Sequence, residues 1–136
     1  MTSFVSHTSV DCTDAYALSR WWQAVLDYVE DPDDPNEPGH PECLVGSRDQ
    51  RHRLLFIQVP DQKRVKNRLH LDLRPREGSR DDELARLRAL GATVLDDRRN
   101  ADGTGWVVLA DPEGNEFCIL RSNAEVAAAR ASSGGD

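Results

Sequence analysis

The sequence has no apolar run longer than a few residues and no basic stretch leading into one. Neither membrane insertion nor export is expected, and the reading is of a cytoplasmic protein without a membrane partner. Cysteine is scarce and unpaired: Cys12, Cys43 and Cys118 make an odd number with no CxxC spacing. Both a disulfide framework and a four-cysteine zinc site are argued against, which leaves free thiols. Positive charge is also short, with 17 basic side chains against 24 acidic ones and a net charge of −7. A nucleic acid or an anionic membrane would meet general repulsion, so small molecules and other proteins are the expected partners. The 136 residues suit one domain, or two half-size units sharing a core.

Elements can be read from the spacing of apolar side chains. Val5 to Cys12 alternates as a strand, with His7, Ser9 and Asp11 on one face and Val10 and Cys12 on the other. Thr13 or Asp14 can cap a helix from Ala15 to about Tyr28, whose Leu18, Trp21, Trp22, Val25 and Leu26 recur at helical spacing and belong in a core. Residues 31–42 hold four of the seven prolines and five carboxylates, so they can be neither helix nor central strand. Two strands follow, Cys43 to Arg48 and Arg53 to Val59, around a polar turn in which His52 is expected to be exposed. Leu54, Phe56 and Gln58 share one face of the second.

Just past the middle, Val65 to Arg74 alternates again, which places Leu69, Leu71 and Leu73 in the core and His70 and Asp72 on the opposite, polar face. A histidine flanked by arginine and aspartate suits the wall of a polar cleft as well as it suits plain surface. A helix from Arg80 to Leu90 then carries Leu84, Leu87 and Leu90 as a stripe and closes at Gly91. Beyond it come a short strand from Ala92 to Leu95, a polar loop, a strand from Trp106 to Ala110 and a tight turn at 111–115. The strand Glu116 to Leu120 sets Glu116 and Cys118 opposite Phe117 and Ile119. Asn123 to Asp136 reads as a short Ala-rich helix fraying into a dispensable tail.

Laid side by side, the halves repeat one order, with His7 and His70 in equivalent places. The repeat predicts an α+β chain of two tandem βαβββ modules, about 3–60 and 65–122, in a single domain over 1–136 with a tail from 123. The hairpin Trp106-Val-Val-Leu-Ala-Asp-Pro-Glu-Gly-Asn-Glu-Phe-Cys-Ile-Leu, the stretch Val65-Lys-Asn-Arg-Leu-His-Leu-Asp-Leu and the opening His7-Thr-Ser-Val-Asp-Cys, in this order, resemble the vicinal oxygen chelate superfamily. Within it the glyoxalase-like and bleomycin-resistance-like proteins are the nearest in pattern. The resemblance implies the glyoxalase/bleomycin resistance/dihydroxybiphenyl dioxygenase fold, with a cleft shared by the modules and lined by His7, Phe56, Gln58, His70, Asp72, Trp106, Glu116 and Cys118. It also implies a homodimer.

Metal-using members of that superfamily take a ligand from the first and fourth strands of each module. Carried over, the set is His7, Gln58, His70 and Cys118, with Glu116 as a substitute for Cys118. Gln58 and Cys118 stand where carboxylates are usual; two imidazoles, an amide and a thiolate suit zinc better than manganese or magnesium. The favoured reading is a cleft without a full metal site that binds a small, partly aromatic or cationic organic molecule. The alternative is a divalent-metal-dependent lyase, isomerase or dioxygenase, in which Glu116 is the candidate for orienting a proton transfer.

Overall fold

The structure, a computed structural model, describes residues 1–133, the side chain of Ser133 excepted. The expected fraying at 134–136 lies outside the described residues. The chain is mixed α+β and divides into two compact units, Met1–Arg64 and Val65–Asp136.

The first unit comprises β1 (Thr8–Cys12), α1 (Ala15–Leu26), β2 (Glu42–Gly46) and β3 (Arg53–Gln58). Its sheet has the order β1-β3-β2, with β1 parallel and β2 antiparallel to β3. The Asp14 carboxylate caps α1 by accepting from the Ala17 N–H at 3.1 Å. The helix ends where Asp27 turns left-handed at φ 56°. Leu18, Trp22 and Val25 are buried along with Cys43, Val45, Leu54 and Phe56, so α1 covers one face of this sheet. Trp21 is half-buried and meets Trp22 edge to face at 5.2 Å. After the helix, Val29 pairs with Gly46 as an isolated bridge where a further strand would lie. The prolines that begin at Pro32 stop it from lengthening. His52 is half-buried rather than exposed, because its Nδ1 lies 2.6 Å from the Tyr28 hydroxyl.

The second unit comprises β4 (Leu71–Leu73), α2 (Arg80–Ala89), β5 (Thr93–Asp97), β6 (Val107–Ala110), β7 (Glu116–Ile119) and α3 (Asn123–Ser133). The sheet order is β4-β7-β6-β5, with β4 parallel to β7 and the other neighbours antiparallel. Val107, Leu109, Phe117 and Ile119 are buried together with Leu84 and Leu87 of α2. The expected long strand from Val65 is corrected: β4 is three residues long and Leu69 is 86% exposed. A strand extends only as far as its neighbour, and β7 offers no residue before Glu116 for the chain upstream of His70 to pair with.

Two polar arrangements hold this unit where apolar side chains are few. Ser79 caps α2 by accepting from the Asp82 N–H at 3.0 Å. Arg80, 5% exposed, donates through Nη1 to the carbonyls of Gly103, Thr104 and Gly105 at 3.1, 3.3 and 3.0 Å. Gly105 sits at φ +93°, and a Cβ there would fall 2.0 Å from the Arg98 carbonyl, so no side chain fits. Glu125 accepts from the N–H groups of Ser122, at 2.9 Å, and Arg80, at 2.6 Å, and Ser122 Oγ accepts from the Glu125 N–H. One carboxylate thus serves the N-termini of both α2 and α3. Burial pushes the Glu125 carboxyl up, but these donors and the Arg80 charge together bring it below its usual value.

Candidate ligand-binding site

The face of the second sheet opposite Phe117 and Ile119 carries the polar residues. Register places Asp96, Val108, Cys118 and Asp72 side by side across β5, β6, β7 and β4. With strands about 4.8 Å apart, the row spans roughly 14 Å, and its two acids bracket a floor of valine and cysteine. Above it lies a hollow of about 540 Å³, whose walls add Lys66, His70, Arg98, Trp106, Glu116 and Leu120. Trp106 is 43% exposed and offers a flat apolar surface there.

Chemistry concentrates at one end of the row. His70 Nδ1 lies 3.2 Å from Asp72 Oδ1, and the Cys118 thiol sits beside the same carboxylate. One donor atom from each of His70, Asp72 and Cys118 falls within 4.8 Å of the others. Cys118 is 5% exposed; burial pushes its thiol up to about 11, the nearby Asp72 charge and hydrogen bond adding to the effect and Lys66 opposing it. Glu116 accepts from the Asn67 N–H at 3.1 Å, which ties the irregular segment before His70 to the rim. At the other end of the row, Arg98 Nε donates to Asp96 Oδ2 at 2.6 Å.

The second unit therefore gathers His70, Asp72, Trp106, Glu116 and Cys118 around one hollow. Matters differ in the first unit. Phe56 is fully buried, so it presents nothing to a ligand; it packs in the layer between the sheet and α1. His7 is exposed ahead of β1, with Nδ1 3.0 Å from Ser6 Oγ, and Gln58 is exposed at the end of β3. Register sets Gln58 beside Cys12, five residues past His7, or roughly 16 Å along the sheet. Alternation also puts Gln58 on the face of Phe56 rather than that of Asp11. The expected ligand set of His7, Gln58, His70 and Cys118 is corrected accordingly, since no single ion is reached by both His7 and Gln58.

The donors that do meet are His70, Cys118 and Asp72, and the last was expected only in the wall. Its signal was in the sequence: two residues from His70 on a strand, it has to share that face. Lys66, Asp96 and Arg98 were missed altogether. Lys66 belongs to an irregular segment, and Asp96 and Arg98 needed the pairing of β5 with β6, which spacing alone does not reveal.

The arrangement can be set beside known proteins. The protein FosX of Listeria monocytogenes, a genomically encoded fosfomycin resistance protein solved with Mn(II) and 1S,2S-dihydroxypropylphosphonic acid, superposes with a TM-score of 0.66 at 17% identity, over 92% of this chain and 94% of its own. A glyoxalase/bleomycin resistance protein/dioxygenase family enzyme from Burkholderia phytofirmans gives a TM-score of 0.62 at 21% identity, over 84% of this chain and 94% of its own. At such identities the likeness speaks to fold alone, and the fold is that of the vicinal oxygen chelate superfamily. Residues 7–120 match the model of the glyoxalase-like domain, and the chain belongs to that family. No curated protein matches the chain.

Proposed function

We propose that this glyoxalase-like protein binds a small organic molecule in the hollow of its second unit, against Trp106, without a resident metal ion. The observation that carries the reading is the pairing of His70 with Asp72 beside a buried thiol. Asp72 lies within reach of His70 Nδ1, and burial beside that carboxylate keeps the Cys118 thiol protonated at neutral pH. His70 and Asp72 are paired as they stand, and the hollow over them has the size and mixed lining of a small-molecule site. The protein is read as cytoplasmic and as a homodimer, for which the exposed Val94 and Leu95 on the edge strand β5 offer a surface.

The closeness of His70, Asp72 and Cys118 favours a second reading, in which they hold a divalent ion. Imidazole, carboxylate and thiolate suit zinc, and the thiolate does not suit the Mn(II) bound by FosX. Such an ion would polarise substrate oxygens, as a lyase or isomerase requires. Glu116, held at the rim by Asn67, is then the carboxylate positioned to take a substrate proton.

Elemental analysis of untagged protein, with ligand titration before and after chelation, separates the two. The first reading expects no stoichiometric metal, binding unchanged by chelator, and weaker binding in His70→Ala. Stoichiometric zinc that is lost in both His70→Ala and Cys118→Ala would replace it with the second.

A further inference from the structure

The acidity of the chain suggests a cationic ligand, but the partners inside the hollow point the other way. Each carboxylate lining it already has a donor: Asp96 has Arg98 Nε at 2.6 Å, Asp72 has His70 Nδ1 at 3.2 Å, and Glu116 has the Asn67 N–H at 3.1 Å. The cations are less occupied. Lys66 makes no hydrogen bond or ion pair with any described residue, and the Arg98 side chain donates only through Nε, leaving both terminal amino groups. We infer that the ligand is an organic acid, its carboxylate held by Lys66 and Arg98 and its flat apolar body laid on Trp106. This rests on the binding reading above and specifies the class of molecule.

Two observations tie these cations to the hollow rather than to bulk water. Lys66 lines the hollow together with Trp106, Glu116 and Cys118. The Arg98 N–H donates to the Trp106 carbonyl at 2.8 Å, so the guanidinium and the indole rise from one pair of hydrogen-bonded residues. Three carboxylates against two cations would by formal count disfavour an anion. Occupancy outweighs the count. A ligand ammonium would meet carboxylates that already share their charge with Arg98, His70 or a backbone N–H, whereas a ligand carboxylate displaces only water from Lys66 and gains charge-assisted bonds.

Titration of the full chain, followed by ligand-observed NMR, with phenylacetate, phenylacetamide and phenethylamine tests this directly. The three share a ring and differ in the charge of the end group. Phenylacetate is expected to bind about tenfold more tightly than either of the others, an advantage lost in Lys66→Met and kept in Lys66→Arg. Tighter binding of phenethylamine, or an unchanged phenylacetate affinity in Lys66→Met, overturns the inference while leaving the hollow a binding site. Binding of none of the three, or binding indifferent to Trp106→Ala, overturns the underlying reading along with it.

Discussion

The two units share one strand plan and differ in what secures it. In each, the first strand runs parallel beside the last, and a helix follows the first strand. In the first unit α1 buries Leu18, Trp22 and Val25, and the inner layer includes Phe56, Leu54, Val45 and Cys43. In the second, α2 buries only Leu84, Leu87 and the cation Arg80, and much of the remaining order comes from Arg80 and Glu125 collecting backbone groups. A plan of this kind can thus be held by apolar layers or by polar side chains that satisfy loops and helix ends. The unit with fewer apolar side chains on its helix is also the one whose open sheet face carries acids, a histidine and a thiol.

The contrast can be broken most severely through the first unit. Phe56→Ala should cost about 3–5 kcal/mol in urea denaturation, since the side chain is fully enclosed and its neighbours cannot fill the space. A loss under about 1 kcal/mol would mean that this layer is not what holds the unit.

Glu125→Ala addresses the second unit and should cost about 1–3 kcal/mol by leaving the Ser122 and Arg80 N–H groups without their acceptor. Because the folded carboxyl sits below its ordinary value, its stabilisation is complete above the unfolded value near 4.3 and is lost as pH falls through the lower, folded one. The stability gap between wild type and variant should therefore close in acid; a gap constant with pH would assign the effect to packing instead.

The smallest effect is expected from a polar contact in the first unit. Arg48 grips Asp27 through two nitrogens at 3.2 and 3.0 Å, yet both side chains are exposed. Arg48→Ala should leave the denaturation midpoint unchanged within error, and a clear drop would show that polar bonds matter as much in this unit as in the other.

Much of this was legible in the residues. The helices appear close to where Leu18, Trp22, Leu84 and Leu87 repeat, and the turn at Asp111 to Asn115 forms where Asp-Pro-Glu-Gly-Asn predicts it, with Asp111 accepting from Glu113 and Asn115. Period-two alternation correctly opposed Cys118 and Glu116, which line the hollow, to Phe117 and Ile119, which do not. It failed where a strand had no neighbour, at Leu69, and where the exposed side of a face had to be chosen, at Phe56. Alternation divides residues between two faces but does not say which face a helix will cover. The correct partners of His70 depended on register between strands far apart in sequence, and only Asp72 could have been read locally.

One chain of contacts bears on how the molecule can be handled. Glu125 of α3 holds the first N–H of α2; the same residue, Arg80, gathers the carbonyls before Trp106; and Gly105 packs against the carbonyl of Arg98. The C-terminal helix, which reads as an expendable appendage, is thereby fastened to the loop that presents the guanidinium and the indole to the hollow. A tag added after Ser133 leaves those fastenings alone. A protease cut or domain boundary drawn before Ser122 severs the first of them, and the damage would surface at a wall of the hollow rather than at the cut.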